Sequence, residues 1–164
     1  MVATIHRYEN IFKEERFNEI VNRLEQVAKL FPVYLVQHPA TQEQLEKLPS
    51  IKKRLISNRK INLLPRLEYL PFIRLIKHSE FVITDGGGNQ EELYHMGKPT
   101  LLFRNETERQ EGIGSTAVIS KLDSDIIADF TKNYKKHQRT ATNLKKTSPS
   151  KIIVDFLEKN GFGK

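Results

Sequence analysis

The chain has 164 residues, 38% of them hydrophobic and 29% charged, with a formal net charge of +7. That length suits one globular domain burying roughly two-thirds of its unfolded surface. No apolar run approaches the ~20 residues that span a bilayer, no signal-peptide pattern opens the chain, and zero cysteines exclude disulfides and thiolate metal sites, so a cytoplasmic protein without membrane contact is expected.

Residues 2–5 (VATI) predict a short strand. Between Glu14 and Phe31, apolar Phe17, Ile20, Val21, Leu24, Val27, Ala28 and Phe31 recur at helical spacing, acids gather at the N-terminal end, and Pro32 stops the helix. VYLV (33–36) predicts a second strand, followed by His38-Pro39. Thr41 and Gln44 have the spacing of a capping box for a helix through about residue 48. INLL (61–64) predicts a third strand, and residues 69–78 a helix with Pro71 in its first turn, where a missing N–H costs little. FVIT (81–84) predicts a fourth strand, with a helix from about Asn89 to Met96 behind it. Gly97 stands where a C′ glycine belongs, and Pro99 opens the strand PTLLF. TAVIS (116–120) is a candidate sixth strand, and Asp123 caps a helix reaching about Lys136. Residues 150–159 predict a last helix after a polar link at about 137–149.

Short, nearly continuous apolar strands joined through helices predict an α/β fold. The expected form is a Rossmann-like open parallel sheet in three layers, flanked by helices, as a single domain over residues 1–164. Ligands of such sheets bind beyond the carboxyl ends of the strands, near the topological switch point. The stretch ITDGGGNQEE (83–92) stands at such a strand end. Its glycines allow a sharp turn and a close ligand approach, and the following helix start favours phosphate; a tight turn with no ligand is the plain alternative. Glu91 and Glu92 would be repelled by phosphate, and adjacent helical residues diverge by about 100°, so one of them can address ribose hydroxyls instead. HRYEN (6–10) after the first strand and NETERQEG (105–112) after the fifth bring His6, Arg7 and Arg109 to the same edge. Arg109 could equally pair with Glu106 or Glu111.

The densest basic stretch, Lys132 to Lys151, holds seven Lys and Arg without an acid, but its only aromatic residue is Tyr134. A nucleic-acid stacking surface needs aromatics between the charges, so a solvated basic face or one for an acidic partner is the better reading, and no nucleic acid is expected.

In this order, HRYEN, HPAT, LEYLPFIRLIKHSEFVITDGGGNQEE and GKPTLLFRNETERQEG resemble the C-terminal half of bacterial UDP-N-acetylglucosamine 2-epimerases over about residues 4–120. That resemblance implies the second domain of a GT-B fold, with the nucleotide sugar between two Rossmann-like domains. Met1 would then be an artificial start or that of a truncated reading frame, and the N-terminal domain a missing partner. Gly86, Gly87 and Gly88 fall on the family's turn for the UDP phosphates, and Glu92 on the acid holding the ribose. Phe72 falls where backbone meets the uracil, His6 on the catalytic histidine reaching toward diphosphate and sugar, and Arg109 in the segment lining the same pocket. The implied ligand is a UDP-sugar, with no metal or nicotinamide cofactor, and the full-length enzyme is a homodimer. Two positions depart from the family: Gly86 replaces the serine of Asp-Ser-Gly-Gly, and Ala40 replaces the arginine of His-Pro-Arg-Thr. A hydrolysing 2-epimerase, half of a GT-B glycosyltransferase, and a non-catalytic binding module remain as other readings of the same motifs.

Overall fold

The computed structural model describes residues 1–141 and 149–162. Six strands run β1 (Val2–Thr4), β2 (Val33–Val36), β3 (Ile61–Leu64), β4 (Val82–Thr84), β5 (Thr100–Leu102) and β6 (Ala117–Ile119). All pair in parallel, in the order β3-β2-β1-β4-β5-β6. The chain therefore begins in the middle of the sheet, builds outward to β3, then crosses back and builds the other way from β4. Neighbouring β1 and β4 thus send their connections to opposite sides, which opens a crevice beyond their carboxyl ends. Their register, Thr4 opposite Thr84, makes residues 5–7 and 85–87 leave the sheet side by side.

Alternation along the strands assigns the two faces. Ala3, Leu35, Ile83 and Leu101 point into the larger core, against Phe17, Ile20, Val21 and Leu24 of α2 (Glu14–Ala28) and Ile127 and Phe130 of α7 (Ser124–Asn133). Val2, Val36 and Val82 point the other way, to Ile76 of α5 (Tyr69–Lys77) and Leu93 of α6 (Gly87–His95). The remaining helices are α1 (Tyr8–Ile11), α3 (Pro39–Lys47), α4 (Pro49–Ser57) and α8 (Pro149–Lys159), with a 3₁₀ turn at Tyr134–His137.

Several local expectations hold. Gly97 follows α6 with φ of 63°, and the Asp123 carboxylate accepts from the N–H groups of Asp125 (2.8 Å) and Ile126 (3.0 Å). Others do not. Thr41 and Gln44 form no capping box, because α3 begins at Pro39 with His38 as its N-cap. Thr41 is instead buried inside the helix, its hydroxyl donating to the Ile5 carbonyl. Helix α4 has only Ile51 and Leu55 as its buried residues, too few apolar positions to stand out in the sequence. The helix after Asp123 ends at Asn133 and tightens to 3₁₀ geometry. Much of the polar link and of the basic stretch lies outside the described residues.

Candidate nucleotide-binding site

Asp85 organises the strand ends. It is fully buried, and its carboxylate accepts from the backbone N–H of His6 (3.1 Å) and Arg7 (2.9 Å) and from the Asn10 amide (2.9 Å). The same Asn10 amide donates to the Phe103 carbonyl at 3.0 Å, tying the ends of β1, β4 and β5 together. The His6 ring is drawn in as well, with Nδ1 at 3.4 Å from the Asp85 carboxylate. The sequence offered Asp85 only as the residue before three glycines, and Asn10 only as the end of HRYEN. Their partnership across 75 residues has no local signature.

The glycine turn differs from the expected one. Gly86 is the N-cap of α6 at φ −85° and ψ 128°, and Gly87 and Gly88 form its first turn, two residues earlier than predicted. None of the three has positive φ, so their value here is space and not backbone freedom. A Cβ on Gly86 would stand 2.8 Å from Cε1 of His6, and one on Gly87 3.4 Å from Cγ of Arg109. Gly88 faces open space. The N–H of Gly86 donates to the Thr84 hydroxyl at 3.1 Å, while those of Gly87, Gly88 and Asn89 find no acceptor among the described residues. A nine-residue helix therefore presents three free donors and its positive dipole end to the crevice, flanked by an imidazole and a guanidinium.

Residues 105–112 are held over this turn by Gln90, a residue the sequence reading passed over. Buried Gln90 donates to the carbonyls of Arg109 (3.2 Å) and Glu111 (2.9 Å) and accepts from the Thr107 hydroxyl (2.9 Å). Arg109 pairs with Glu91, and with neither Glu106 nor Glu111. Beside it, nearly buried Arg104 bonds Glu108 at 2.7 Å, holding that carboxyl far below the usual range, at about 2. Glu92 stands one turn further along α6 with no hydrogen-bond partner for its carboxylate among the described residues. Burial first, then the charge of Glu91, raises its pKa. Of the two adjacent carboxylates, Glu91 is thus occupied and Glu92 is available.

Next to the turn lies a cleft of about 280 Å³, lined among others by His6, His38, Arg66, Phe72 and Asn89. The residues singled out in the sequence accordingly fall into two adjoining groups. His6 and Phe72 face the cleft, with Gly86 beneath the His6 ring. Gly87 and Arg109 lie together on the other side, and Gly88 and Glu92 follow along α6.

Comparison with known proteins points the same way. A family model for UDP-N-acetylglucosamine 2-epimerase matches residues 1–157. The UDP-N-acetylglucosamine 2-epimerase of Neisseria meningitidis is 32% identical over 168 residues, covering 98% of this chain and 44% of that protein. The UDP-2,3-diacetamido-2,3-dideoxy-D-glucuronate 2-epimerase of Pseudomonas aeruginosa is 34% identical over 109 residues, covering 66% of this chain and 29% of that protein. Among solved structures, the Methanocaldococcus jannaschii UDP-GlcNAc 2-epimerase in complex with UDP-GlcNAc and UDP superposes with a TM-score of 0.83 at 26% identity, over 96% of this chain and 44% of that one. The chain spans less than half the length of these relatives. Sequence and fold agree over nearly all its residues, and the chain belongs to the UDP-N-acetylglucosamine 2-epimerase family.

Proposed function

We propose that this chain is the UDP-binding, C-terminal half of a two-domain 2-epimerase that interconverts UDP-GlcNAc and UDP-ManNAc for cell-surface polysaccharide synthesis. The observation that carries this reading is the amino end of α6. Three N–H groups without an acceptor among the described residues stand at the crevice between β1 and β4, with His6 on one side and Arg109 on the other. In this reading those donors hold the diphosphate, Glu92 accepts from the ribose hydroxyls, and the backbone at Phe72 meets the uracil. The cleft, at about 280 Å³, falls just below the ~300–1,000 Å³ usual for ligand sites, which suits part of a UDP-sugar and leaves the rest to a second domain.

The reaction proceeds by elimination. The C1–O bond breaks with both electrons going to UDP, a proton leaves C2, and a 2-acetamidoglucal forms; UDP then returns to C1 and a proton to the opposite face of C2. Negative charge grows on the diphosphate as it departs, and donors fixed in advance at the helix start and on His6 are most effective at that point. Proton transfer at C2 needs positioned acids or bases, which this reading assigns to carboxylates of the N-terminal domain. The isolated chain should therefore bind UDP and epimerise nothing. Calorimetric titration with UDP tests this: saturable millimolar binding that Glu92→Ala weakens supports the reading, and its absence overturns it. Turnover by the chain alone would disprove the division of labour between domains.

The similarity to the diacetamido-glucuronate enzyme supports a second reading of the sugar, with the nucleotide unchanged. Assaying the full-length enzyme with both UDP-sugars separates the two.

A further inference from the structure

Arg109 reaches the helix start from a surface segment, and an arginine on such a segment is ordinarily ordered only when its ligand arrives. Here α6 orders it beforehand, chiefly through Gln90, which is 1% exposed and lies one turn beyond Gly86. The Gln90 amide nitrogen donates to the carbonyls of Arg109 (3.2 Å) and Glu111 (2.9 Å), and its oxygen accepts from the Thr107 hydroxyl (2.9 Å). Two carbonyls can only accept, so one orientation of the amide fits, and both its N–H groups are used. The Thr107 oxygen in turn accepts from the Arg109 N–H at 3.2 Å. The backbone of Arg109 is thus held on its N–H side through Thr107 and on its carbonyl side by Gln90. The same helix holds the side chain. Nη1 pairs with Glu91, and a Cβ on Gly87 would stand 3.5 Å from Nε, so the bare glycine lets the guanidinium lie over the helix start. Nε and Nη2 have no partner among the described residues. Those two N–H groups form the side-on fork of a guanidinium, the edge that matches two oxygens of a phosphate.

We propose that Gln90 is a positioning residue of the nucleotide site: by fixing the backbone of Arg109 it holds the Nε–Nη2 edge over the helix start, set for bidentate contact with a phosphate of a nucleoside diphosphate. This rests on the UDP-binding reading above and deepens it. Gln90 is buried and acts only through Arg109, whose side chain is ordered in the free chain, so binding does not bear that entropic cost. A Gln90 that served stability alone would tie residues 105–112 down and leave the contribution of the arginine untouched.

That difference is measurable as a coupling. Gln90→Met keeps the length of the side chain and removes the amide. The Kd for UDP should rise roughly five- to tenfold, the worth of about one net hydrogen bond. With Arg109→Ala already present, the same substitution should change it by less than about twofold, the margin within which independent sites add. In the free chain, the ¹⁵Nε–H signal of Arg109, assigned by its loss in Arg109→Ala, should stand apart from the other arginines. In Gln90→Met it should move to the position of an unrestrained side chain. Thr107→Val removes the hydroxyl that links Gln90 to the Arg109 N–H and should reproduce both results, which keeps the test decisive if Gln90→Met does not fold. Three outcomes overturn the proposal: UDP affinity within about twofold of the wild type, an equal loss with and without Arg109, or an unmoved Arg109 signal. If the wild-type chain fails to bind UDP, the UDP reading falls and the ligand named here with it, while the positioning of Arg109 stands or falls on its signal in the free chain.

Discussion

The Asp85 carboxylate has no exposed surface, yet three N–H donors from the β1 exit converge on it, so its removal leaves buried donors without partners as well as a void. Asp85→Ala should cost about 3 kcal/mol in urea denaturation, the scale of an uncompensated buried polar cluster. Gly86 is a different case, since its φ suits any residue and the main obstacle is the His6 ring, with the Asn89 amide at 3.3 Å beside it. Gly86→Ser, the family's usual residue, should leave stability within about 1 kcal/mol but displace the His6 ring, visible as shifted imidazole signals. An unmoved His6 would show that the glycine is not there to seat the ring. Glu92 trades stability for availability. Its raised pKa means the folded state prefers the neutral acid, so its stabilising effect is complete below pH 4.5 and is lost as pH rises through the higher folded value. Glu92→Gln should thus be at least as stable as the wild type at pH 7 while binding UDP more weakly, checked by melting and titration on the same sample.

Helix ends account for much of what the elements do. Gly97 terminates α6 in the left-handed region, and a Cβ there would stand 2.1 Å from the Arg139 carbonyl oxygen. The Gly97 carbonyl in turn accepts from the Arg139 N–H (3.0 Å) and the Gln138 amide (2.7 Å). Gly97→Ala should lose at least about 1–2 kcal/mol from backbone strain alone, and more from the collision. At the start of α3, burial first and then the charges of His6 and Arg66 lower the His38 pKa, with Asp85 opposing and Tyr69 the other titratable group on the cleft wall. The folded state prefers the neutral ring, so this contribution is full above the ordinary imidazole value of 6.5 and is lost as pH falls below it. Melting between pH 7.5 and 5 should therefore show a smaller acid-side loss in His38→Asn than in the wild type.

At the scale of the whole molecule, the sheet is covered unequally. One face carries a large core under α2 and α7, the other a smaller one to which α5 gives Ile76 as its one fully buried residue. Helix α8 is amphipathic, but Ile152, Ile153, Val154, Phe156 and Leu157 are all exposed. A side chain left mostly exposed among the described residues contributes little, so Phe156→Ser should change the unfolding free energy by less than about 0.5 kcal/mol, whereas Phe130→Ala in the core should cost roughly 3–5 kcal/mol. The two values, from one denaturation series, measure how far the chain's stability resides in the sheet and its core helices.

Strand identity was legible in the residues themselves: VYLV and INLL match β2 and β3 end to end as short runs rich in apolar residues, even though Tyr34 and Asn62 leave each strand partly exposed. The Asp123 cap and the Gly97 stop were equally local, each resting on one residue's hydrogen-bonding or conformational capacity within a few positions. The motif order carried the family for the same reason, since it is a linear pattern. What tertiary structure alone decided were the pairings between distant strand ends. Thr41 reads as a cap until Ile5 supplies a buried carbonyl, Gly86 reads as part of a sharp turn until the His6 ring fills the space above it, and Arg109 had three carboxylates within reach. Local chemistry fixes what each residue can offer, and the parallel register of β1 against β4 determines which offer is taken up.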